Sequence, residues 1–217
     1  MCSSDLLGNL LADVSSNTEN HYKSAGISGV SESNINSINN AMVVTGIDDQ
    51  DEIQQLVNSY NTILDLGSNT SSSIGDRPTN EDYSNIGVVG VTGAILAAVN
   101  VAVMDAETDE LTSVAKIEVL VAQAEVAVTK IITYGDGDGS ALTITDYLAA
   151  GITGITQETE VLLLSEVIML SDPVAVDSIA EIQFLADAVR SLIQQITGAA
   201  SDLSQAQLDL LGVKGVT

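Results

Sequence analysis

One six-residue phrase occurs four times in this 217-residue chain. It reads glycine, an apolar residue, any residue, glycine, an apolar residue, then serine or threonine. The copies begin at Gly26, Gly87, Gly151 and Gly212, so successive copies lie 61, 64 and 61 residues apart. A fixed period of this size indicates a tandem array of repeats. Such arrays work through length and surface more often than through a single active site.

A short helix is predicted just before each phrase. Eight residues before each first glycine stands a hydroxyl residue suited to begin a helix: Thr18, Thr79, Thr143 and Ser204. In the third copy, Thr143 and Asp146 have the spacing of a capping box, in which each side chain bonds the backbone N–H of the other residue. Gly151 then suits the left-handed conformation that ends a helix, with Ile152 as its apolar partner.

Two further helices are predicted after each phrase. Ser31, Thr92 and Thr156 are expected to cap a medium helix. Its apolar stripe is expected at Ile35, Ile38 and Met42; at Ile95, Val99, Ala102 and Val103; and at Leu163, Val167 and Leu170. A long helix follows, with stripes at Ile53, Leu56, Val57, Tyr60 and Leu64; at Ile117, Leu120, Val121, Ala124 and Val128; and at Ile182, Leu185, Ala186, Val189 and Ile193. These spacings place apolar residues on one helix face.

The predicted fold is therefore all-α: an elongated tandem array of three-helix-bundle repeats of about 61–64 residues. The predicted repeats are 18–78, 79–142 and 143–203, with 204–217 as the start of a truncated fourth and 7–17 as the tail of a preceding one. Residues 1–6 lie outside this frame and resemble the translation of a sequencing-adapter tail, so we interpret them as non-native. We expect the chain to be a fragment of a longer protein.

The charge balance restricts the possible partners. The chain has 30 acidic and 6 basic residues, for a formal net charge of −24. Nucleic-acid binding is excluded because phosphate contacts need clustered Lys and Arg, and an anionic membrane surface is disfavoured for the same reason. Residues 86–104 carry no charge, but three glycines and Asn100 interrupt them, which favours a buried repeat helix over a membrane span.

Nothing in the sequence predicts an enzyme, a catalytic residue or a cofactor site. His21 is the only histidine, and it stands where the other repeats have Asp82 and Asp146, so a capping or solvent-exposed role is expected. Cys2 is the only cysteine, which rules out a disulfide within the chain. Acidic runs at 48–52 and 107–110 are expected at the starts of long helices, where negative charge is favourable.

The strongest candidate for chemistry is a weak calcium site formed by Asp136, Asp138 and Asp146. Alternating aspartate and glycine resembles a calcium-binding loop, since Ca²⁺ takes several oxygen ligands on a tight turn. The spacing is poor, because loop positions one and twelve would be Tyr134 and Thr145. A flexible acidic loop is the favoured interpretation, and a calcium site is the alternative.

Residues 83–91 and 143–156 resemble the tandem helical repeats of very large acidic bacterial surface proteins. These are adhesin-like or biofilm-associated proteins, often exported by type I secretion, and the resemblance covers nearly the whole chain after Leu6. It implies an extracellular, cell-surface stalk or spacer without catalytic residues. The chain departs from its own pattern at His21 and at Leu208, where other repeats have Asp and Tyr.

Two functions are expected from these features. The first is a structural spacer that extends an adhesive domain lying outside this chain, with neighbouring repeats as its partners. The alternative is a helical-repeat binding module for a protein or glycan. A binding module should expose a large apolar or aromatic patch, and the low aromatic content, one Phe and five Tyr, favours the spacer.

Overall fold

The computed structural model describes residues 3–68, 77–137, 139–198 and 204–212. All regular structure in these residues is helical, which confirms the predicted all-α class. The α-helices are α1 (Ser3–Ala12), α2 (Glu19–Ser24), α3 (Ile35–Thr45), α4 (Gln50–Gly67), α5 (Asn80–Asn85), α6 (Leu96–Asp105), α7 (Val114–Gly135), α8 (Ile144–Ala149), α9 (Glu158–Leu170), α10 (Ile179–Ile196) and α11 (Gln205–Leu210). Single 3₁₀ turns, Val14–Ser16, Thr108–Leu111 and Pro173–Ala175, precede α2, α7 and α10.

The helices after α1 follow the sequence period as three types. The short helices α2, α5, α8 and α11 have six residues each. The medium helices α3, α6 and α9 have 11, 10 and 13 residues. The long helices α4, α7 and α10 have 18, 22 and 18 residues.

The predicted end of the short helices is confirmed in α2, α5 and α8. In α8, Gly151 has φ +83°. Its N–H donates to the Leu148 carbonyl, and the N–H of Ile152 donates to the Tyr147 carbonyl, both at 2.9 Å. This pair of bonds is the Schellman motif, which needs a left-handed residue and therefore favours glycine. The same pair of bonds occurs at Gly26 and at Gly87.

The predicted start of the medium helices is wrong by one to three residues, since a cap at Ser31, Thr92 or Thr156 would place the first helical residue directly after it. Helix α3 begins four residues after Ser31, because Ser31 and Asn34 first form a separate turn. The Asn34 side chain accepts from the Ser31 N–H at 2.7 Å and donates to the Gly29 carbonyl at 2.8 Å. Such local side-chain bonds compete with the helical hydrogen-bond pattern. Helix α6 begins four residues after Thr92, and α9 two residues after Thr156.

The predicted stripes of the long helices are largely confirmed. Thirteen of the fifteen predicted positions are buried, while Leu64 and Ile193 are half-buried. Asp49 caps α4 by accepting from the N–H groups of Asp51 and Glu52, as expected for the first acidic run. The second run forms the 3₁₀ turn Thr108–Leu111 instead, and α7 begins three residues later.

The predicted stripe of α9 is wrong. Leu163 and Val167 are only half-buried and Leu170 is exposed, whereas Val161, Leu164, Ser165 and Ile168 are buried. Residues 161–164 are apolar on every side, so spacing could not fix the buried face. The helix start fixes it: the buried Glu160 carboxylate accepts from the N–H groups of Thr156 (2.7 Å) and Gln157 (2.9 Å).

The chain forms two compact units, residues 1–96 with 102–122, and residues 97–101 with 123–217. In the first unit α4 packs on α3, α5 and the turn Thr108–Leu111. In the second, α10 packs on α9 and α11. The predicted repeat boundaries do not coincide with these units and stay a prediction. Helix α1 begins at Ser3, inside the segment that the sequence placed outside the repeats.

Candidate functional site

The capping residues of the short helices α5, α8 and α11 share one geometry. Helix α8 begins with the predicted capping box: Asp146 Oδ2 accepts from the Thr143 N–H and hydroxyl at 2.8 Å each. The Asp146 N–H in turn donates to Thr143 Oγ1 at 3.3 Å. Thr79 with Asp82 begins α5 in the same way. Ser204 with Gln207 begins α11, as predicted.

The same capping side chains also bind the preceding long helix. Asp82 uses Oδ2 for the cap, and its Oδ1 accepts from the Ser59 hydroxyl of α4 at 2.8 Å. Asp146 Oδ1 accepts from Lys130 Nζ of α7 at 2.5 Å. We call this contact, from the third helical residue of a short helix to the preceding long helix, the N3 link. The sequence predicted the capping contact of the N3 link. It did not predict the residues of the long helix that the link reaches, because Ser59 and Lys130 stand at different positions along their helices.

A third N3 link joins α11 to α10. Gln207 Nε2 donates to the Ser191 hydroxyl at 3.3 Å. Glutamine thus replaces aspartate while keeping both contacts.

The N3 link stabilises the ionised form of Asp146. Partial burial raises the pKa of this carboxyl, but the hydrogen bonds from Lys130 and Thr143 outweigh burial, so the pKa lies below its usual value. The ionised carboxylate is therefore the form that the joint between α7 and α8 stabilises.

Tyrosines attach the short helices to the medium helices. Tyr22 and Tyr147 are fully buried. The Tyr22 hydroxyl donates to Asn39 Oδ1 of α3 at 2.6 Å, and the Tyr147 hydroxyl lies 2.9 Å from Ser165 Oγ of α9. Tyr83 is also fully buried. The carbonyl of each tyrosine accepts the Schellman bond that spans five residues. The same residue therefore ends the short helix through its backbone and packs in the core through its side chain.

A glutamine braces the double-glycine turn against the long helix of the same repeat. Gln54 of α4 accepts from the Ser28 N–H at 2.8 Å and donates to the Ser28 carbonyl at 3.0 Å. Gln183 of α10 makes the same two bonds with Thr153, at 2.8 and 3.2 Å. The sequence contained a signal for this brace: both glutamines directly follow the first stripe residue of a long helix.

The second repeat has Glu118 at the sequence position of the bracing glutamine, and Val89 at the position of Ser28 and Thr153. A carboxylate can accept from a backbone N–H but has no N–H to donate to the carbonyl. We expect Glu118→Gln to raise the free energy of unfolding by about 1 kcal/mol, the typical net value of one hydrogen bond. Urea denaturation measures this. The exposed Glu166→Gln removes the same charge on a medium helix, and an equal gain in that variant would contradict the brace.

His21 lies at the capping position of α2, as expected. The Thr18 N–H donates to His21 Nδ1 at 3.3 Å, and this nitrogen is also 3.2 Å from Asn17 Oδ1. Asn17 Nδ2 donates to the Leu10 carbonyl of α1 at 2.7 Å, so Asn17 connects this cap to the preceding helix. Cys2 lies outside the described residues.

The three calcium candidates are not assembled into a described site. Asp136 is exposed and Asp138 lies outside the described residues. Both carboxylate oxygens of Asp146 already accept from Lys130 and Thr143. Within the described part of the chain, no group of three or more His, Cys, Asp or Glu could hold a metal. A Ca²⁺ ion at Asp146 would have to displace the Lys130 ammonium group.

We therefore expect calcium to leave the thermal stability unchanged. The melting temperature should be the same within about 1 °C in millimolar CaCl₂ and in EDTA, because a ligand that does not bind the folded state does not stabilise it. MgCl₂ at equal concentration controls for ionic strength. A rise with Ca²⁺ alone that Asp136→Asn removes would contradict this expectation and support the calcium alternative.

Comparison with known proteins gives no family: no protein-family model, no curated protein and no solved structure matches the chain. None of the helices in the described ranges is long and apolar enough to cross a membrane. The uncharged stretch 86–104 contains α6 except its last residue, Asp105, and two glycines of positive φ, Gly87 and Gly90, precede the helix. The polar contacts of the capping and bracing residues in the described part of the chain therefore connect helices and turns to one another.

Proposed function

We propose that the chain is a non-enzymatic structural spacer made of tandem three-helix repeats. The observation that carries this proposal is the N3 link. It recurs at Asp82, Asp146 and Gln207, which are 64 and 61 residues apart. In each case one side chain begins a short helix and binds the long helix before it. A contact repeated at the sequence period is what a nearest-neighbour array requires.

The size of the repeat supports the same proposal. A unit of about 61 residues buries only about 60% of its unfolded surface and is marginal alone. Contacts between consecutive repeats supply the missing stability. The Tyr60 hydroxyl of α4, for example, donates to the Leu111 carbonyl, 51 residues later, at 2.9 Å.

The location proposed for this spacer is the bacterial cell surface, within a large adhesin-like secreted protein. The resemblance of residues 143–156 and the net charge of −24 support this location. Strong like charge keeps chains soluble and apart. The spacer would hold an adhesive domain, lying outside this chain, away from the cell.

Small-angle X-ray scattering of the full chain tests the spacer. A compact 217-residue protein has a radius of gyration of about 17 Å. We expect a clearly larger value and a pair-distance distribution with a long tail, since consecutive repeats extend a rod. A radius of gyration near 17 Å at both 0.1 and 0.5 M NaCl would contradict the proposal. The higher salt concentration screens charge repulsion, so an elongation that persists there is a property of the fold.

A binding module is the alternative, and exposed apolar side chains favour it. These side chains are Leu162, Met169, Leu170, Val174 and Phe184. A groove of about 490 Å³, lined by Val167, Leu170 and Leu185 among others, lies in the same unit. Glycan-array binding that Phe184→Ser abolishes and the exposed control Val43→Ser retains would favour the module over the spacer.

A further inference from the structure

The end of α10 exposes an isoleucine at a position that is covered in the other long helices. Ile196 is the last residue of α10, and the residue is 75% exposed. It follows the first stripe residue, Ile182, by fourteen residues. The matching position in α7 is Ile131, which is fully buried, and in α4 it is Gly67.

In α4 this helix end is covered by elements of the following repeat. A Cβ built on Gly67 would overlap Leu111 Cδ1 and lie 3.3 Å from the Val103 carbonyl oxygen. Leu111 ends the 3₁₀ turn Thr108–Leu111, and Val103 lies in α6. The end of the long helix therefore touches the following medium helix and the turn after it.

The end of α7 is covered in the same way. Gly135 lies one helical turn after Ile131, on the same face. A Cβ built there would be 3.2 Å from both Ile168 and Val176. Ile168 lies in α9 and Val176 directly follows the turn Pro173–Ala175, so medium helix and turn again supply the contact. In both α4 and α7, the end of the long helix is therefore covered by the following medium helix and the turn after it.

We propose that the Ile196 end of α10 is a docking surface for one further repeat of the same kind, which would place its medium helix and following turn on Ile196. This inference rests on the proposed function. The surface suits burial because the last six residues of α10, from Ser191, carry no charge in a chain with net charge −24. These six residues therefore bring no carboxylate that would be desolvated when the further repeat docks.

An extended chain tests the docking directly. Residues 157–198 are added after Thr217, so that the fourth phrase continues as the third one does, with the same residues that cover α7. Cys2→Ser and Ile196→Cys leave a single thiol. We expect the thiol at 196 to react with Ellman's reagent at least tenfold more slowly in the extended chain than in the original length. A glycine-serine extension of equal length is the control, and it should leave the rate unchanged.

Each other outcome contradicts a definite claim. If circular dichroism shows the added residues to be helical while the thiol stays fully reactive, docking is wrong and the spacer consists of independent repeats. If the added residues stay non-helical, the repeat is not a transferable unit, and the proposed function fails with the docking. Equal slowing by the glycine-serine extension would show that chain length alone shields the thiol.

Discussion

Gly151→Ala is expected to lower the free energy of unfolding by about 3 kcal/mol, through two effects that act together. Gly151 has φ +83°, a conformation that costs an L-residue about 1–2 kcal/mol. A Cβ at this position would also lie 2.7 Å from the Ala97 carbonyl carbon and 2.8 Å from the Ala98 nitrogen. These are backbone atoms of α6 and cannot rotate away, so the helices must separate at a typical overpacking cost of about 1–3 kcal/mol.

Gly137→Ala is the matched control for this effect. Gly137 has φ +86°, but a Cβ there would meet no atom within 4 Å. This variant should therefore show only the conformational cost of about 1–2 kcal/mol. Urea denaturation of both variants separates the cost of the left-handed backbone from the cost of the close contact with α6. Equal losses would contradict the close approach of the turn at Gly151 to the backbone of α6.

The sequence predicted the features that depend on local physics. Thr143 and Asp146 form the expected capping box because its geometry is set by three consecutive peptide units. Gly151 is left-handed because the Schellman motif requires it. The stripes of α4 and α10 were predicted because charged and polar residues separate most of their apolar positions and leave one face to bury. Helix α7 is apolar on more sides and exposes Val119 and Val126, yet its stripe is buried as predicted.

The remaining features depend on contacts that sequence spacing does not contain. The stripe of α9 was assigned to the wrong face because Val161–Leu164 is apolar on every side. The residue that orients the helix is Glu160, whose buried carboxylate accepts from the Thr156 N–H at the helix start. Helix α3 starts late because the Asn34 side chain bonds the Gly29 carbonyl and Asn61 of a different helix. Part of the candidate site could not be predicted for the same reason. Lys130 and Ser59 become partners of the capping aspartates only when the helices pack.

The chain is expected to unfold cooperatively between pH 10 and pH 12. Burial raises the pKa of Tyr22, Tyr60 and Tyr147 from 10.0 to about 12 in each case. Burial likewise raises the pKa of Tyr83, with a smaller effect from the Asp82 charge. Between pH 10 and pH 12 the unfolded chain releases these phenol protons while the folded chain retains them. Stability therefore falls as pH rises and is fully retained below pH 10.

The size of the effect follows from the shifts. A shift of about two units corresponds to at most about 2.7 kcal/mol for each tyrosine at high pH. Three such residues approach the whole stability of a domain, about 5–15 kcal/mol. In a Tyr134→Phe background, which removes the half-buried tyrosine and leaves the four buried ones, tyrosinate absorbance at 295 nm and the loss of helical circular dichroism should therefore follow one curve. Tyrosinate that forms near pH 10 while the helical signal persists would contradict the buried positions.

Tyr147→Phe separates tyrosine ionisation from the other effects of high pH, such as the growing net negative charge. At pH 7 the variant should be less stable by about 1 kcal/mol, because the Ser165 hydroxyl loses its partner at 2.9 Å. At pH 11.5 the order should reverse, since phenylalanine has no proton to lose and the variant no longer contributes to the alkaline loss. Its stability curve should cross that of the unmodified chain between pH 10 and pH 12. Parallel curves with a constant difference would show that Tyr147 ionisation does not drive alkaline unfolding.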